Sequence, residues 1–269
     1  MKTVIPPTPP FWGRREIHGI LLSEIIPFIN KSALFSGQWR VKRGKMSSEE
    51  YKNILNTVLE PKIKELAVRA EKQQLLRPTV VYGYYPCNSD GNRLLVFRKI
   101  DSEQEPVIFE FPRQQEPPNL CLADYFKSVS SGEKDVIALT LVTMGAEAAR
   151  ESARLFNADQ YQEYLYWHGF SVVCAEALAE YWHQVIRREM GISSRDSLEI
   201  KKLFGGAYQG ARYSPGYPSC PNLSDQKKIF AILEPESIGV TLTDELQMVP
   251  EQSTSAFVVH HPNADYFQI

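Results

Sequence analysis

One short segment places a permanent positive charge within unusually constrained backbone. Residues 208–221 contain Arg212 together with two glycines, three prolines and three tyrosines. Glycine permits close approach of a ligand to the backbone, and proline fixes its own torsion. Because the planar guanidinium of arginine matches a carboxylate or a phosphate, this composition favours an anion-binding loop. The alternative is a rigid surface loop in which Arg212 pairs with a nearby acid.

Acidic and imidazole side chains at helical spacing offer further chemistry. Glu180 and His183 are three residues apart, a spacing that can present both groups to one metal ion. A di-iron site needs a second copy of this motif, which the sequence lacks, so we interpret the two as a structural pair on a half-exposed helix face. Glu176, one turn earlier, either directs its carboxylate at a bound ammonium or sulfonium group or remains a solvated acid. His260 and His261 are interpreted as packing or surface residues.

Several familiar catalytic and cofactor motifs are absent from the sequence. It has no glycine-rich dinucleotide or triphosphate loop, no Gly-x-Ser-x-Gly elbow and no evident cysteine–histidine nucleophile. The four cysteines contain no Cys-x-x-Cys pair, which argues against a structural zinc site or a disulfide framework. We interpret them as packed or surface thiols. No catalytic residue and no metal site are predicted.

Composition limits the class of protein. The chain has 269 residues, 43% of them hydrophobic, and a formal net charge of −2 with both signs interspersed. It is long enough to bury a sizeable core, and it has no basic stripe that would favour nucleic acid or an anionic membrane as partner. Its longest apolar runs are too short to span a bilayer, and its start lacks a signal-peptide pattern. These features predict a cytoplasmic protein.

The first half of the chain shows an arm, a helix and a group of strands. Residues 1–10 contain four prolines, which predicts an extended arm or linker. Residues 11–269 are predicted to form one domain. Ser47 and Glu50 form a capping-box pattern that begins a helix, and Pro61 should kink or restart it. Strands are predicted at residues 79–86, 93–99 and 107–111, with a turn at 88–91 between the first two.

A strand and a long helix dominate the second half. The strand is predicted at residues 135–143, and the helix over residues 158–190 with a stop at Gly191. Residues 226–233 suit a short helix or strand, and residues 255–261 a final strand. Strands grouped before a long helix favour an α+β fold over a doubly wound sheet. The apolar face of the long helix is predicted to comprise Leu165, Val172, Ala175, Ala179, Trp182 and Ile186.

Short segments along nearly the whole chain resemble the reactivation domain of cobalamin-dependent methionine synthase, the module that binds S-adenosylmethionine. They occur in that family's order. They are residues 9–13 (PPFWG), 33–39 (ALFSGQW), 82–86 (YGYYP), 111–115 (FPRQQ), 122–125 (LADY), 176–183 (EALAEYWH), 212–221 (RYSPGYPSCP), 242–244 (LTD) and 261–267 (HPNADYF).

The resemblance implies a C-shaped, single α+β domain with a central antiparallel sheet and flanking helices. It also implies a function: the domain docks on a cobalamin domain whose cofactor has oxidised to cob(II)alamin. Flavodoxin or a related reductase then supplies an electron, and S-adenosylmethionine supplies the methyl group. Cobalamin would come only through the partner domain, because the chain lacks an Asp-x-His-x-x-Gly motif. The chain is thus either part of a methionine synthase or an accessory to one, and a docking homologue with weak or no ligand binding is the alternative.

The resemblance also implies the ligand-binding residues. Arg212 matches the residue that holds the methionyl carboxylate, while Ser214, Gly216 and Tyr217 would present backbone and ring to the ligand. Glu176 matches an acid near the ligand, where its charge suits an ammonium or sulfonium group.

Three further positions complete the implied site. Tyr266 and Phe267 match an aromatic pair that borders the ligand. Asn30 stands where better-known members have an aspartate that accepts from the ligand. An amide keeps an acceptor but carries no charge, so the resemblance implies greater reliance on other acids.

Overall fold

One antiparallel sheet forms the centre of the computed structural model, which describes residues 4–100 and 104–269. Six strands follow the order β4-β3-β2-β5-β9-β6, and β1 pairs with β2 beside this path. A separate small hairpin joins β7 to β8. The strands are β1 (Gly13–Ile17), β2 (Thr79–Asp90), β3 (Arg93–Val96), β4 (Val107–Glu110), β5 (Asp135–Thr143), β6 (Ala211–Tyr213), β7 (Thr241–Leu242), β8 (Met248–Val249) and β9 (Ser253–Val259).

Helices lie on both sides of the sheet. They are α1 (Leu22–Ile25), α2 (Ser48–Ile54), α3 (Glu60–Lys72), α4 (Ala146–Asn157), α5 (Tyr161–Glu189), α6 (Ile200–Leu203) and α7 (Asp225–Leu233). The α+β prediction, with a central antiparallel sheet and flanking helices, is confirmed. Among the described residues, no helix combines the length and apolar character needed to cross a membrane.

Strand β5 is buried along its whole length because apolar layers cover both faces of the sheet. Its side chains alternate between the layers: Ala138 and Val142 belong to the cluster around α5, and Leu139 and Leu141 to the cluster around α7. A strand covered on both faces needs apolar residues at successive positions, which explains the continuous run that predicted residues 135–143 as a strand.

The predicted turn at residues 88–91 is wrong, although the hairpin around it is correct. Strand β2 continues to Asp90, which pairs with Arg93, so the turn comprises residues 91–92. Asn88 donates to the carbonyl of Glu133 at 2.8 Å, and Ser89 donates to that of Phe126 at 3.1 Å. These tertiary hydrogen bonds keep polar residues, which otherwise favour turns, within a buried strand.

The helical predictions are partly corrected. The capping box of Ser47 and Glu50 is confirmed at the start of α2, and Pro61 restarts the helix as the second residue of α3. The predicted helix 158–190 corresponds to α5, which begins at Tyr161 because the chain turns at Asp159, with φ +57°. The preceding helix α4 was not predicted. Gly191, with φ +68°, follows the end of α5 as predicted.

The apolar face predicted for α5 is also too narrow. Leu165 and Val172 are only partly buried, whereas Trp167, Phe170 and Cys174 are fully buried. The reason is that α5 contacts the sheet, α4 and the π-helical segment Ala33–Gln38, so it is covered on several sides.

Two hydrogen bonds fix the C-terminal end of α5 to the sheet. Glu189 accepts from the hydroxyl of Tyr82 at 3.0 Å and from that of Tyr84 at 2.6 Å. Both tyrosines are buried on β2, so these charge-assisted bonds are strong and set the position of α5 over the sheet.

Gly83 of β2 leaves no room for a side chain beside β1, and it supplies a test of this pairing. A Cβ atom there would lie 2.3 Å from the carbonyl oxygen of Gly13 and 2.9 Å from Cα of Arg14. Because both are backbone atoms, we expect Gly83→Ala to destabilise the protein by about 1–3 kcal/mol, measured by urea unfolding.

Gly37→Ala is the matched control, since a Cβ atom there meets nothing within 4 Å. It should change the free energy of unfolding by no more than about 1 kcal/mol. Equal stability of the two variants would contradict the close contact between β1 and β2.

Candidate functional site

Strand β6 places Arg212 at an edge of the sheet. Arg212 pairs with Val258 of β9, and the preceding turn brings Gly210 against the same strand. Gly210 has φ +85°, and a Cβ atom there would lie 2.3 Å from the carbonyl oxygen of Val259. Only glycine satisfies both conditions, so the glycine in the sequence serves to hold Arg212 close to β9.

The side chain of Arg212 faces two carboxylates of α5. Its Nη2 atom lies 3.6 Å from Oε2 of Glu176 and 3.8 Å from Oε2 of Glu180. These two acids are four residues apart and therefore share one face of the helix. The Arg212 side chain is 14% exposed, that of Glu180 12% and that of Glu176 52%, so the cation and one of its acids are largely buried.

The guanidinium of Arg212 is held by charge rather than by direct hydrogen bonds. Both ion-pair distances exceed the usual hydrogen-bond range, and within residues 4–100 and 104–269 the guanidinium donates no hydrogen bond. Its planar set of donors is therefore available to an anion. This cluster of Arg212, Glu176 and Glu180 is named the charged cluster below.

The structural interpretation of Glu180 and His183 as a pair is wrong. Glu180 turns toward Arg212, whereas His183 is completely buried and lies against the ring of Tyr208. Neither ring nitrogen of His183 has a hydrogen-bond partner among the described residues, so the two side chains do not pair. Glu180 instead belongs to the charged cluster, which the sequence reasoning missed, and its spacing from Glu176 was the available signal.

A C-terminal segment closes one side of the charged cluster. The hydroxyl of Tyr266 donates to the backbone carbonyl of Arg212, and Tyr213 donates to the carbonyl of Asp265 at 2.7 Å. Ser219 donates to the carbonyl of Phe267 at 2.6 Å. The predicted aromatic pair is therefore anchored to the same loop that holds Arg212.

The loop after Arg212 is folded back on itself. Gly216, with φ +92°, donates its N–H to the carbonyl of Cys220 at 2.9 Å, and Tyr217 donates to that of Ser214 at 3.2 Å. Tyr217 is largely exposed. This loop and the C-terminal segment line one cleft, formed by Tyr213, Tyr217, Pro218, Ser219, Cys220, Tyr266, Phe267 and Gln268.

Asn30 is the predicted site residue that the structure does not join to the charged cluster. Its side chain is exposed, and Oδ1 accepts the N–H of Ala33 at 3.1 Å, where the π-helical segment begins. No hydrogen bond or ion pair connects it to Arg212 in the part of the chain that the structure describes. The structure thus groups Glu176, Arg212, Ser214, Gly216, Tyr217, Tyr266 and Phe267 together and leaves Asn30 apart.

The two adjacent histidines near the C-terminus and all four cysteines are buried. His260 and His261 lie at the end of β9, as packing residues, and Nε2 of His260 lies 2.7 Å from Oδ1 of buried Asp135. All four cysteines are free and buried, so the packed alternative for them is correct.

Beneath the charged cluster, a second group of polar residues surrounds Tyr208. The guanidinium of Arg187 lies 4.1 Å from the centre of the Tyr208 ring and pairs with Asp196 at 2.9 Å. Neither ring nitrogen of His183 has a hydrogen-bond partner among the described residues. Burial, reinforced by the charges of Arg187 and Arg212, holds the pKa of His183 well below its ordinary value. Neutral imidazole is therefore the stable form in the folded protein.

The buried imidazole predicts sensitivity to acid. Because the pKa of His183 is lowered by folding, its stabilising contribution is present above its unfolded pKa of about 6.5 and is lost as pH falls below that value. The free energy of unfolding should decrease by up to about 1.4 kcal/mol per pH unit from this residue. Urea unfolding between pH 7.5 and 5.5 measures the slope, and His183→Leu should reduce it.

The control for this effect is His18→Leu, because the His18 side chain is 62% exposed beside Glu16. Its slope should match that of the unmodified protein. An unchanged slope in His183→Leu would show that other groups cause the acid sensitivity.

Known proteins with similar sequences indicate the family of this chain. The family model for the activation domain of vitamin B12-dependent methionine synthase matches residues 21–269. Methionine synthase of Mycobacterium tuberculosis is 41% identical and that of Mycobacterium leprae 40% identical, each over 98% of this chain. The chain spans 23% of the length of these two relatives.

A solved structure shares the fold. The crystal structure of the MetH reactivation domain bound to AdoHcy superposes with a TM-score of 0.88 at 24% identity, covering 98% of this chain and 83% of that one. The match supports the sheet and helix arrangement described above. Together with the family model and the relatives, it confirms the resemblance found in the sequence: this chain belongs to the family of the activation domain of vitamin B12-dependent methionine synthase.

Proposed function

We propose that this domain binds S-adenosylmethionine and its product S-adenosylhomocysteine at the charged cluster, and that it supports the reductive methylation of cob(II)alamin held by a partner domain. The observation that carries this proposal is the guanidinium of Arg212. It is mostly buried, it donates no hydrogen bond within the described residues, and it directly precedes the loop that lines the cleft. A carboxylate would satisfy two of its donors at once.

The acids beside Arg212 suit the rest of such a ligand. An S-adenosyl amino acid carries an α-ammonium next to its carboxylate, and S-adenosylmethionine also carries a sulfonium. Glu176, with half of its side chain exposed, lies on the open side of the charged cluster and is placed to attract a cation from solvent. A site with only an arginine would bind any carboxylate, so the acids favour a zwitterionic ligand.

Aromatic groups border the cleft and suit a nucleoside. Tyr217 and Tyr266 are largely exposed, and Phe267, which is partly buried, lines the same cleft. The loop containing Ser214 and Gly216 connects Arg212 to this cleft. Asn30 remains a predicted contact, because its amide oxygen can accept a second hydrogen bond beside that from Ala33.

The partner module would supply the cobalamin, and flavodoxin or a related reductase the electron. S-adenosylmethionine supplies an electrophilic methyl group, so the transfer needs no general acid or base from this domain. What the chain contributes is binding and orientation of the methyl donor. This role agrees with a site that contains an arginine, two acids and aromatic rings.

Arg212→Ala tests the proposed carboxylate contact. Loss of a charge-assisted, two-point hydrogen bond should weaken binding of S-adenosylhomocysteine by about tenfold to a hundredfold. Isothermal titration calorimetry measures this change, and Arg212→Lys should recover only part of the affinity because ammonium lacks the planar fork.

Arg93→Ala is the matched control. Arg93 lies on β3, four strands from β6 in the same sheet, which corresponds to about 19 Å between the two strands. Its side chain pairs with Asp90 at the surface. It should bind like the unmodified domain. No binding by the unmodified domain at millimolar ligand would overturn the proposal and favour a docking homologue.

A further inference from the structure

The charged cluster contains one cation and two acids that differ greatly in their surroundings. Glu176 is half exposed, so water screens and solvates its charge. Glu180 is nearly enclosed, and its second oxygen, Oε1, is buried without a hydrogen-bond partner among the described residues. The two carboxylates therefore depend on Arg212 to very different degrees.

An ionised Glu180 depends mainly on Arg212 for its stabilisation. Burial raises the pKa of Glu180, and the charges of Arg212 and Arg187 oppose this rise. Arg187 is already paired with Asp196, which leaves Arg212 as the cation without a hydrogen-bonded acid of its own. Charged or titratable groups around Glu180 are Glu176, His183 and Arg187 on α5 and Asp196, Tyr208, Arg212 and Tyr266 on neighbouring segments.

We propose that Glu180 is a binding-site residue that serves as the counter-ion of Arg212 in the empty site and takes up one proton when a ligand carboxylate binds Arg212. This inference rests on the proposed function. It concerns the regulation of that site by pH and a residue to which the sequence gave only a structural role.

The physical reason is competition for one guanidinium. Glu180 lies 3.8 Å from Nη2, beyond hydrogen-bond distance, whereas a bound carboxylate would accept two direct hydrogen bonds. Once the ligand neutralises Arg212, an ionised Glu180 would be a buried carboxylate without a partner, which is unfavourable. Protonation relieves this cost.

The ligand's own ammonium meets Glu176 before Glu180. Oε1 of Glu180 is closed to solvent, whereas half of the Glu176 side chain is exposed. The proton comes from the buffer, and no covalent bond forms or breaks. At most one proton is taken up for each ligand bound.

Calorimetry in several buffers tests this linkage directly. S-adenosylhomocysteine is titrated at pH 7 in phosphate, HEPES and Tris buffers, whose ionisation enthalpies differ, and the slope of observed enthalpy against ionisation enthalpy gives the protons exchanged. We expect uptake of a fraction of one proton in the unmodified domain and none in Glu180→Gln. Affinity in the unmodified domain should fall with rising pH, by up to tenfold per unit, and become nearly independent of pH in the variant.

Glu163→Gln provides the matched control. Glu163 is on the first turn of the same helix, where it pairs with Lys62 at 3.1 Å, and its variant should take up protons like the unmodified domain. Thermal unfolding of Glu180→Gln verifies that the isosteric amide leaves the fold intact.

The outcomes separate this inference from the proposed function. Binding with equal enthalpy in all three buffers, or equal proton uptake in Glu180→Gln and the unmodified domain, overturns the role of Glu180 and leaves ligand binding established. No binding in any buffer overturns the proposed function itself, and the inference with it.

Discussion

The position of α5 over the central sheet is the constraint on which the rest of the structure depends. Glu189 anchors one end of this helix to Tyr82 and Tyr84, and its middle is enclosed by the sheet and the neighbouring helices. Because a helix in this setting cannot rotate without burying charge, its acids are fixed in direction. Glu176 and Glu180 consequently face β6, where the pairing with β9 holds Arg212.

Arg212 in the charged cluster is mostly buried and yet donates no hydrogen bond within the described residues. A mostly buried arginine is normally satisfied by direct hydrogen bonds, as Arg187 is by Asp196. Arg212 lies near two acids at distances too long for hydrogen bonding. The two acids balance the charge of Arg212, while its hydrogen-bond donors remain available to a bound carboxylate. Such an arrangement favours recognition over stability.

Much of the fold was predictable from local pattern. Strand β5 was found with its correct bounds because both of its faces are apolar, and the capping box of Ser47 began a helix where expected. The errors occurred where tertiary contacts replaced local preference. Asn88 and Ser89 remain in β2 because distant carbonyls accept their hydrogen bonds, and short strands such as β1 and β6 have too few residues to show a period.

For the site, the sequence by itself determined the residue types: a cation in a glycine- and proline-rich loop, acids at helical spacing, aromatic pairs and the family that combines them. Only the tertiary structure decided which of these meet. Glu180 and His183 share a helix and a spacing, but one faces Arg212 and the other the interior, since packing on several sides of α5 sets their environments. The burial of these side chains and the charges around them depend on segments that are far apart in the chain. A local sequence pattern therefore cannot predict them.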